Sequence, residues 1–482
     1  MTATVPAYEF AEQDDQRDVR VFESADAPAD PVALAVLGEG VATADLAAPA
    51  AVLPDFHLKD DKEMPSSIAV ATRETIQATL TCCSLNCGMA LVALDLERPA
   101  AEAVVDFYGR VRERLPYPPT YRRVLSRDEV VRAAAEGAEY AIEKFELDPS
   151  TLSGIEEGGR LDVEPYGGLD RVRRELPWLV KELSRIRFGT IGPSNHFIEL
   201  QTVEEILEPE AAALLGVEEG QVTLQYHGGG GTLPGQLGVL FGARKRYTRP
   251  LRAQMALQKP FYHLARARSL SELRARASLY FAGGALPIDR NSSEGERLML
   301  ANVMAMNYGF AFRLATYSTL TELAHSRLGA TSARLIVDSP HNTIYEEEIG
   351  GQRAIVHRHN AARAYPASRM AHHPLFGKIG QPVLIPGTSR TSSYLCVAGD
   401  GADKSLYSAS HGAGTTVKEF AEAGVSQRDP NGRRTLRFRY GTEPPTEVEQ
   451  LDDHGVNEAL SILRDEDIVR PVARLRPFAV LN

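Results

Sequence analysis

Apolar residues recur at helical spacing in three stretches of the chain. Between Asp128 and Leu147, the residues Val130, Val131, Ala134, Ala138, Ala141 and Ile142 fall largely on one face, which predicts a helix over that span. Residues 170–185 repeat the pattern with Val172, Leu176, Leu179, Val180 and Leu183, and Pro177 interrupts it. The longest candidate opens on Ser293-Glu-Gly-Glu296, a capping-box pattern, and continues through Leu298, Leu300, Val303, Met304, Met306, Phe310 and Phe312 toward Leu323. It is apolar over most of its circumference, so a buried central helix is expected.

The strand candidates are short, and two of them run into a histidine. Val222 to His227 leads into four glycines, and Arg334 to Val337 leads through Asp-Ser-Pro to His341. Residues 354–358 and 393–398 are also rich in strand formers. Interleaved helices and strands predict a layered α/β or α+β fold, with central sheets and the long helix buried among them. Residues 1–50 read as a variable N-terminal segment with at least one edge strand. Residues 51–482 read as one large domain, since no internal repeat and no linker rich in Pro, Gly or Ser divides them.

Composition narrows this picture without changing it. The chain is 43% hydrophobic and 24% charged, which suits a globular protein with a large core. It has no apolar run of about 18 residues, so no membrane span is expected. The start lacks a basic segment followed by an apolar one and does not read as a signal peptide. Three of the four cysteines cluster at Cys82, Cys83 and Cys87, the pattern of reduced thiols, and a cytoplasmic location is expected. A net charge of −11 excludes a protein that coats nucleic acid by bulk charge, but a local basic surface still allows an RNA substrate. Arginine-rich stretches (Arg122-Arg123, Arg171 to Arg174, Arg244-Lys-Arg246, and Arg266 to Arg276) are expected to be solvated helix faces.

Candidate chemistry concentrates in five segments, each placing a ligand or nucleophile beside glycine, proline or asparagine. They are Ser84-Leu-Asn-Cys-Gly88, Gly192-Pro-Ser-Asn-His196, His227-Gly-Gly-Gly-Gly231, Ser339-Pro-His-Asn342 and Ser410-His-Gly-Ala-Gly414. Loops at strand ends are where a rigid scaffold usually mounts a site. One thiol with several imidazoles suits zinc, iron or manganese. The spacing of a zinc finger is absent, and Cys82 and Cys83 read as small buried apolar residues. Each segment alone is weak, because a single histidine is more often a hydrogen-bonded core residue.

Taken in order, the segments resemble those of the RtcB-type tRNA-splicing and RNA-repair ligases. The resemblance runs from Leu53-Pro-Asp-Phe-His57 through Asn86-Cys87-Gly88 and Asn195-His196-Phe197-Ile198-Glu199 to His227. It goes on through Asn307-Tyr308 to Arg313, Pro340-His341-Asn342, Arg358 and Arg363, Pro386-Gly387, Ser393-Tyr394, and Ser410 to Gly414.

The resemblance implies a GTP- and manganese-dependent RNA ligase that joins a 3′-phosphate, or a 2′,3′-cyclic phosphate, to a 5′-hydroxyl. His411 would attack the α-phosphate of GTP and carry GMP as a covalent adduct. Cys87, His196, His227 and His341 would be metal ligands. Asn195, Glu199, Ser393, Tyr394, Gly412, Ala413 and Gly414 would hold the nucleotide, and an archease-type protein would be a possible activator.

The chain departs from the family pattern in places. Ser84 stands where an aspartate is usual, so one ion is provided for and a second lacks its carboxylate. Leu481 replaces a guanine-contacting lysine, Thr415 an arginine, and Thr388-Ser-Arg390 a Ser-Met-Gly run. Two other readings stay open at this point: another metal-dependent phosphoryl chemistry, and an inactive RNA-binding paralogue.

Overall fold

Two mixed sheets, meeting at one residue, carry the site. In the computed structural model the described residues are 18–120, 122–192, 195–242, 246–281, 286–441 and 443–482. Residues 1–17 of the N-terminal segment, Pro193 and Ser194 of the Gly-Pro-Ser-Asn-His run, and Arg244-Lys245 lie outside them.

The larger sheet has nine strands. Its main path runs Pro382–Ile385, Ser393–Ala398, Val469–Leu481, Phe197–Ile206, Val222–Gly228, Gly88–Leu94 and Ala333–Pro340, and Arg434–Phe438 with Thr446–Glu449 joins at Val469–Leu481. The smaller sheet orders Val19–Val21, Ala50–His57, Ser66–Thr72, Gln352–His359 and Asn342–Ile349. The strand Val19–Val21 occupies its edge and pairs in parallel with Ala50–His57. Ala333–Pro340 ends one sheet and Asn342–Ile349 begins the other, so His341 alone bridges them.

The long apolar stretch forms one helix, Ser293–Leu323, buried along nearly its whole length. It packs with Ala90, Val92, Ile198, Leu200, Leu224 and Tyr226, which share one face of the larger sheet. Its approach is close at Gly309, where a Cβ would sit 2.6 Å from Asn86, the residue before Cys87. Ser292 caps the helix by accepting from the Gly295 amide, so the cap stands one residue before the Ser293 expected from sequence. Two adjacent serines offer the same hydroxyl chemistry, and backbone geometry selects the first.

The helix expected over Asp128 to Leu147 is two helices, Arg127–Glu136 and Ala138–Phe145. Gly137 breaks it with φ 61°, and a Cβ there would lie 2.2 Å from the Gly159 carbonyl oxygen. The stretch around Pro177 is likewise split, into Gly168–Glu175 and Trp178–Ser184, as the proline predicts. The four strand candidates are strands: Val222–Gly228, Ala333–Pro340, Gln352–His359 and Ser393–Ala398. The architecture is thus mixed α/β with several sheets around a buried helix. No helix among the described residues is long and apolar enough to cross a membrane.

Candidate functional site

Strand register brings the ligand candidates to one end of the larger sheet. Cys87 directly precedes Gly88–Leu94, His196 directly precedes Phe197–Ile206, and His227 lies opposite both Met89 and Phe197. His341 follows Pro340, which is paired with Gly88, and its amide donates to the Cys87 carbonyl at 2.8 Å.

Metal-ligating atoms of Cys87, His227 and His341 all lie within 4.8 Å of one another. The Cys87 Sγ is 3.3 Å from His227 Nε2 and 3.4 Å from His196 Nε2. His227 Nδ1 faces the Asn195 carbonyl at 2.9 Å, so this ring nitrogen is the donor and Nε2 keeps its lone pair toward the sulfur. His341 Nε2 is buried without a hydrogen-bond partner, which is the condition of a ligand atom awaiting a cation.

Electrostatics agree with that donor set. Burial lowers the pKa of His196 to about 4 and carries those of His227 and His341 well below the ordinary imidazole value, so all three rings are neutral at pH 7. Burial, reinforced by Cys82, pushes the Cys87 thiol up to about 12. A divalent ion bound by the sulfur would displace that proton. The thiol and two or three neutral imidazoles therefore fit a transition metal. Ser84 contributes its backbone instead: its carbonyl accepts from the Cys87 amide at 3.1 Å and from Asn342 Nδ2 at 3.2 Å.

His411 comes from a different element. It follows the short strand Ser408–Ser410, paired with Ala361–Arg363, and precedes the helix Gly414–Glu422. Its ring centroid stands 4.6 Å from that of His341 and 6.4 Å from that of His227. Burial, then Lys59, lowers its pKa well below the ordinary value, so it too is neutral.

The nucleotide candidates divide. Ser393 accepts from the Gly387 amide at 3.2 Å, and the Ala413 amide donates to Pro386 at 3.0 Å, so Ser393 and the glycine-rich turn of His411 share one neighbourhood. Glu199 lies on the same sheet face as His227 and accepts from Gln201 Nε2 at 2.7 Å. Burial raises its pKa to about 8. Tyr394 turns to the opposite face: its hydroxyl donates to Asn457 at 2.6 Å and its ring packs with Val456 and Leu460. A Cβ at Gly414 would meet nothing within 4 Å, and Gly412 abuts Pro386.

Several residues that shape the site were outside the candidate set. Arg313, on the central helix, donates to Asp338 Oδ1 at 2.7 Å and to the Asn86 carbonyl at 2.6 Å. Asp55 Oδ1 accepts the amides of Thr415 and Thr416 at 2.6 and 2.9 Å, fixing the turn after His411. Burial raises its pKa to about 7. The charges of Lys59 and His359 also act on His411. A signal existed for some of these: Asp55 lies in the Pro-Asp-Phe-His motif, and Arg313 ends the helix motif.

Comparison with known proteins agrees with the residue pattern. The chain is 27% identical over 416 residues to the tRNA-splicing ligase RtcB of Pyrococcus horikoshii, covering 82% of this chain and 44% of that protein. It is 29% identical over 421 residues to the RNA-splicing ligase RtcB of Mycobacterium tuberculosis, covering 83% of this chain and 88% of that protein. It therefore spans less than half the length of the Pyrococcus relatives it matches. A family model described as tRNA-splicing ligase RtcB matches residues 39–482, and the chain belongs to that family.

Proposed function

We propose that the chain is an RNA ligase joining an RNA 3′-phosphate or 2′,3′-cyclic phosphate to a 5′-hydroxyl, with GTP and manganese, through a nucleotidyl group carried on His411. One observation carries the reading: the neutral His411 ring stands 4.6 Å from His341 of the Cys87–His227–His341 cluster. A neutral imidazole is a competent nucleophile, and its phosphoramidate stays activated for the next transfer. Its nitrogen attacks the α-phosphorus of GTP, the N–P bond forms, the bond to the β-phosphate oxygen breaks, and pyrophosphate leaves. An oxygen of the RNA 3′-phosphate then displaces the His411 nitrogen, and the 5′-hydroxyl oxygen displaces GMP to leave the phosphodiester.

Cys87, His227 and His341, with His196 against the sulfur, would hold a manganese ion, which supplies charge neutralisation at the phosphates. One ion suits the site better than two, because Ser84 offers no carboxylate. Asn195, Glu199, Ser393 and the backbone of Gly412, Ala413 and Gly414 would hold the nucleotide. Tyr394, on the far side of its strand, would support the pocket from behind.

The test is incubation with α-labelled GTP and manganese. Wild type takes up label and His411→Ala takes up none. Absence of label in wild type, or equal label in His411→Ala, overturns the reading. ATP in parallel tests the base pocket, where Leu481 stands.

A further inference from the structure

The turn joining Ala50–His57 to Ser66–Thr72 carries a run of charges, Lys59-Asp-Asp-Lys62-Glu63. It is tied down on both sides. His57 Nδ1 stands 2.7 Å from the Asp55 carbonyl and 3.1 Å from Thr415 Oγ1, and Ser66 Oγ accepts from Asn360 Nδ2. Within the turn the Lys62 amide donates to the Lys59 carbonyl at 3.2 Å. The neighbouring charges are paired, Lys62 with Asp61, and Asp60 with Arg246 at 3.4 Å. Lys59 is half-buried and enters no such pair among the described residues.

Strand pairing places the turn: His57 lies opposite Ser66 and His359 opposite Ile68, so the turn runs beside His359, and His57 reaches Thr415 just after His411. Two residues after His57, the Lys59 ammonium is the strongest charge acting on both His411 and His359, and it acts also on Cys87, His227 and His341. It acts as well on the buried carboxyl of Asp55, which holds the turn after His411. The His359 ring is fully buried and neither nitrogen makes a well-formed hydrogen bond, the Pro65 carbonyl being the backbone acceptor that acts on it. His411 Nδ1 is likewise buried and unpartnered. Buried polar atoms are seldom left without a strong partner. These imidazole nitrogens, with only the Pro65 and Asn360 carbonyls acting on their rings, lie next to a turn whose Lys59 forms no ion pair among the described residues, a donor set suited to an anion.

We propose that Lys59 and His359 form a phosphoryl-binding site beside His411, holding the phosphate that reacts there. The site rests on the function proposed above, and in it a side-chain cation would neutralise phosphate charge where Ser84 offers no carboxylate to a second ion. Two phosphates share the required chemistry, that of the nucleotide and that at the RNA 3′ end.

Equilibrium binding to manganese-loaded protein distinguishes them. The probes are GMP, a labelled oligoribonucleotide ending in a 3′-phosphate, and the same oligoribonucleotide ending in a 3′-hydroxyl. Wild type is expected to prefer the 3′-phosphate end or to bind GMP, and Lys59→Met to lose about tenfold or more of that affinity, the worth of one charge-assisted hydrogen bond. Lys59→Arg retains it. His359→Leu falls in the same direction as Lys59→Met. A loss confined to GMP assigns the site to the nucleotide, and a loss confined to the 3′-phosphate assigns it to the RNA end. Manganese content by elemental analysis stays at the wild-type level in every variant.

Unchanged affinity in Lys59→Met for both probes overturns the proposal, and so does loss of manganese from that variant. A wild type that binds the two RNAs alike and ignores GMP overturns it as well. A wild type that binds phosphate through Lys59 but forms no His411 adduct sustains the phosphoryl site and overturns only the nucleotidyl-transfer reading.

Discussion

The two halves of the site are each braced by one fully buried arginine, and the braces are built differently. On the ligand side Arg313 engages Asp338 through a single carboxylate oxygen, at 2.7 Å from Nε and 2.6 Å from Nη2, and reaches Asn86 beside Cys87. On the His411 side Arg358 meets both oxygens of Glu347 and donates as well to Ser408 Oγ at 2.8 Å and to the Leu406 and Tyr407 carbonyls at 3.2 Å. That second set fixes the strand Ser408–Ser410 leading into His411. Asp338 Oδ2 has no hydrogen-bond partner, and burial outweighs Arg313 in raising the Asp338 pKa. The Cys87 half is thus held by a partly satisfied pair, to which a bound metal would add a cross-link, whereas the His411 half is held by the protein alone. A cluster that binds an ion can leave part of its order to the ion; a nucleophile must be positioned before its substrate arrives.

The largest effect is expected from Arg358→Met. It strands the buried Glu347 carboxylate, while the Leu406 carbonyl keeps Ser408 Oγ and the Tyr407 carbonyl keeps the Ala364 amide, and it should cost about 5 kcal/mol, the upper end for breaking a buried ion pair. Urea denaturation measures it, and the folded fraction should keep its manganese affinity. If manganese affinity falls as steeply as stability, the two halves are one unit and the comparison fails.

Arg313→Met is expected to cost less, about 3 kcal/mol, because Asp338 can take up a proton once its partner is gone. Its signature is loss of metal affinity by roughly 10–100-fold, as befits a residue that supports ligands. Titration of the metal-free variant with manganese checks this, and an unchanged affinity would show that Asn86 and Asp338 position nothing.

A smaller effect sharpens the contrast by using a buried acid with no cation beside it. Glu199 has a folded pKa of about 8 against an ordinary 4.5. Between those values the folded chain keeps a proton that the unfolded chain releases, so stability falls as pH rises through that window. Glu199→Gln should flatten this slope and stabilise the nucleotide-free protein by on the order of a few kcal/mol near pH 8, with little change at pH 4. Parallel denaturation curves for both proteins at pH 5 and pH 8 read it directly. A wild-type curve that does not weaken with pH would place the proton elsewhere.

Much of this was legible in the chain because it is local. The strand Val222–Gly228 and the helix ending near Leu323 follow from runs of adjacent residues, and the segments holding Cys87, His196, His227, His341 and His411 follow from short motifs. The break at Gly137 was hidden, because it depends on Gly159 packing against it from another segment. Ser393 and Tyr394 looked equivalent as neighbours in a motif, yet alternation along a strand sends them to opposite faces.

The sequence by itself determined the chemistry available: one thiol, a set of imidazoles, and the glycines and prolines that mount them at strand ends. Tertiary structure decided which of these meet. It made His341 the one residue between the strands Ala333–Pro340 and Asn342–Ile349 of two sheets, set Arg313 and Arg358 as separate braces, and brought His359 and the turn of Lys59 to the His411 side. The physical reason is that side-chain type and backbone propensity are written residue by residue. Contacts between residues hundreds of positions apart exist only once the sheets register and the central helix is buried against them.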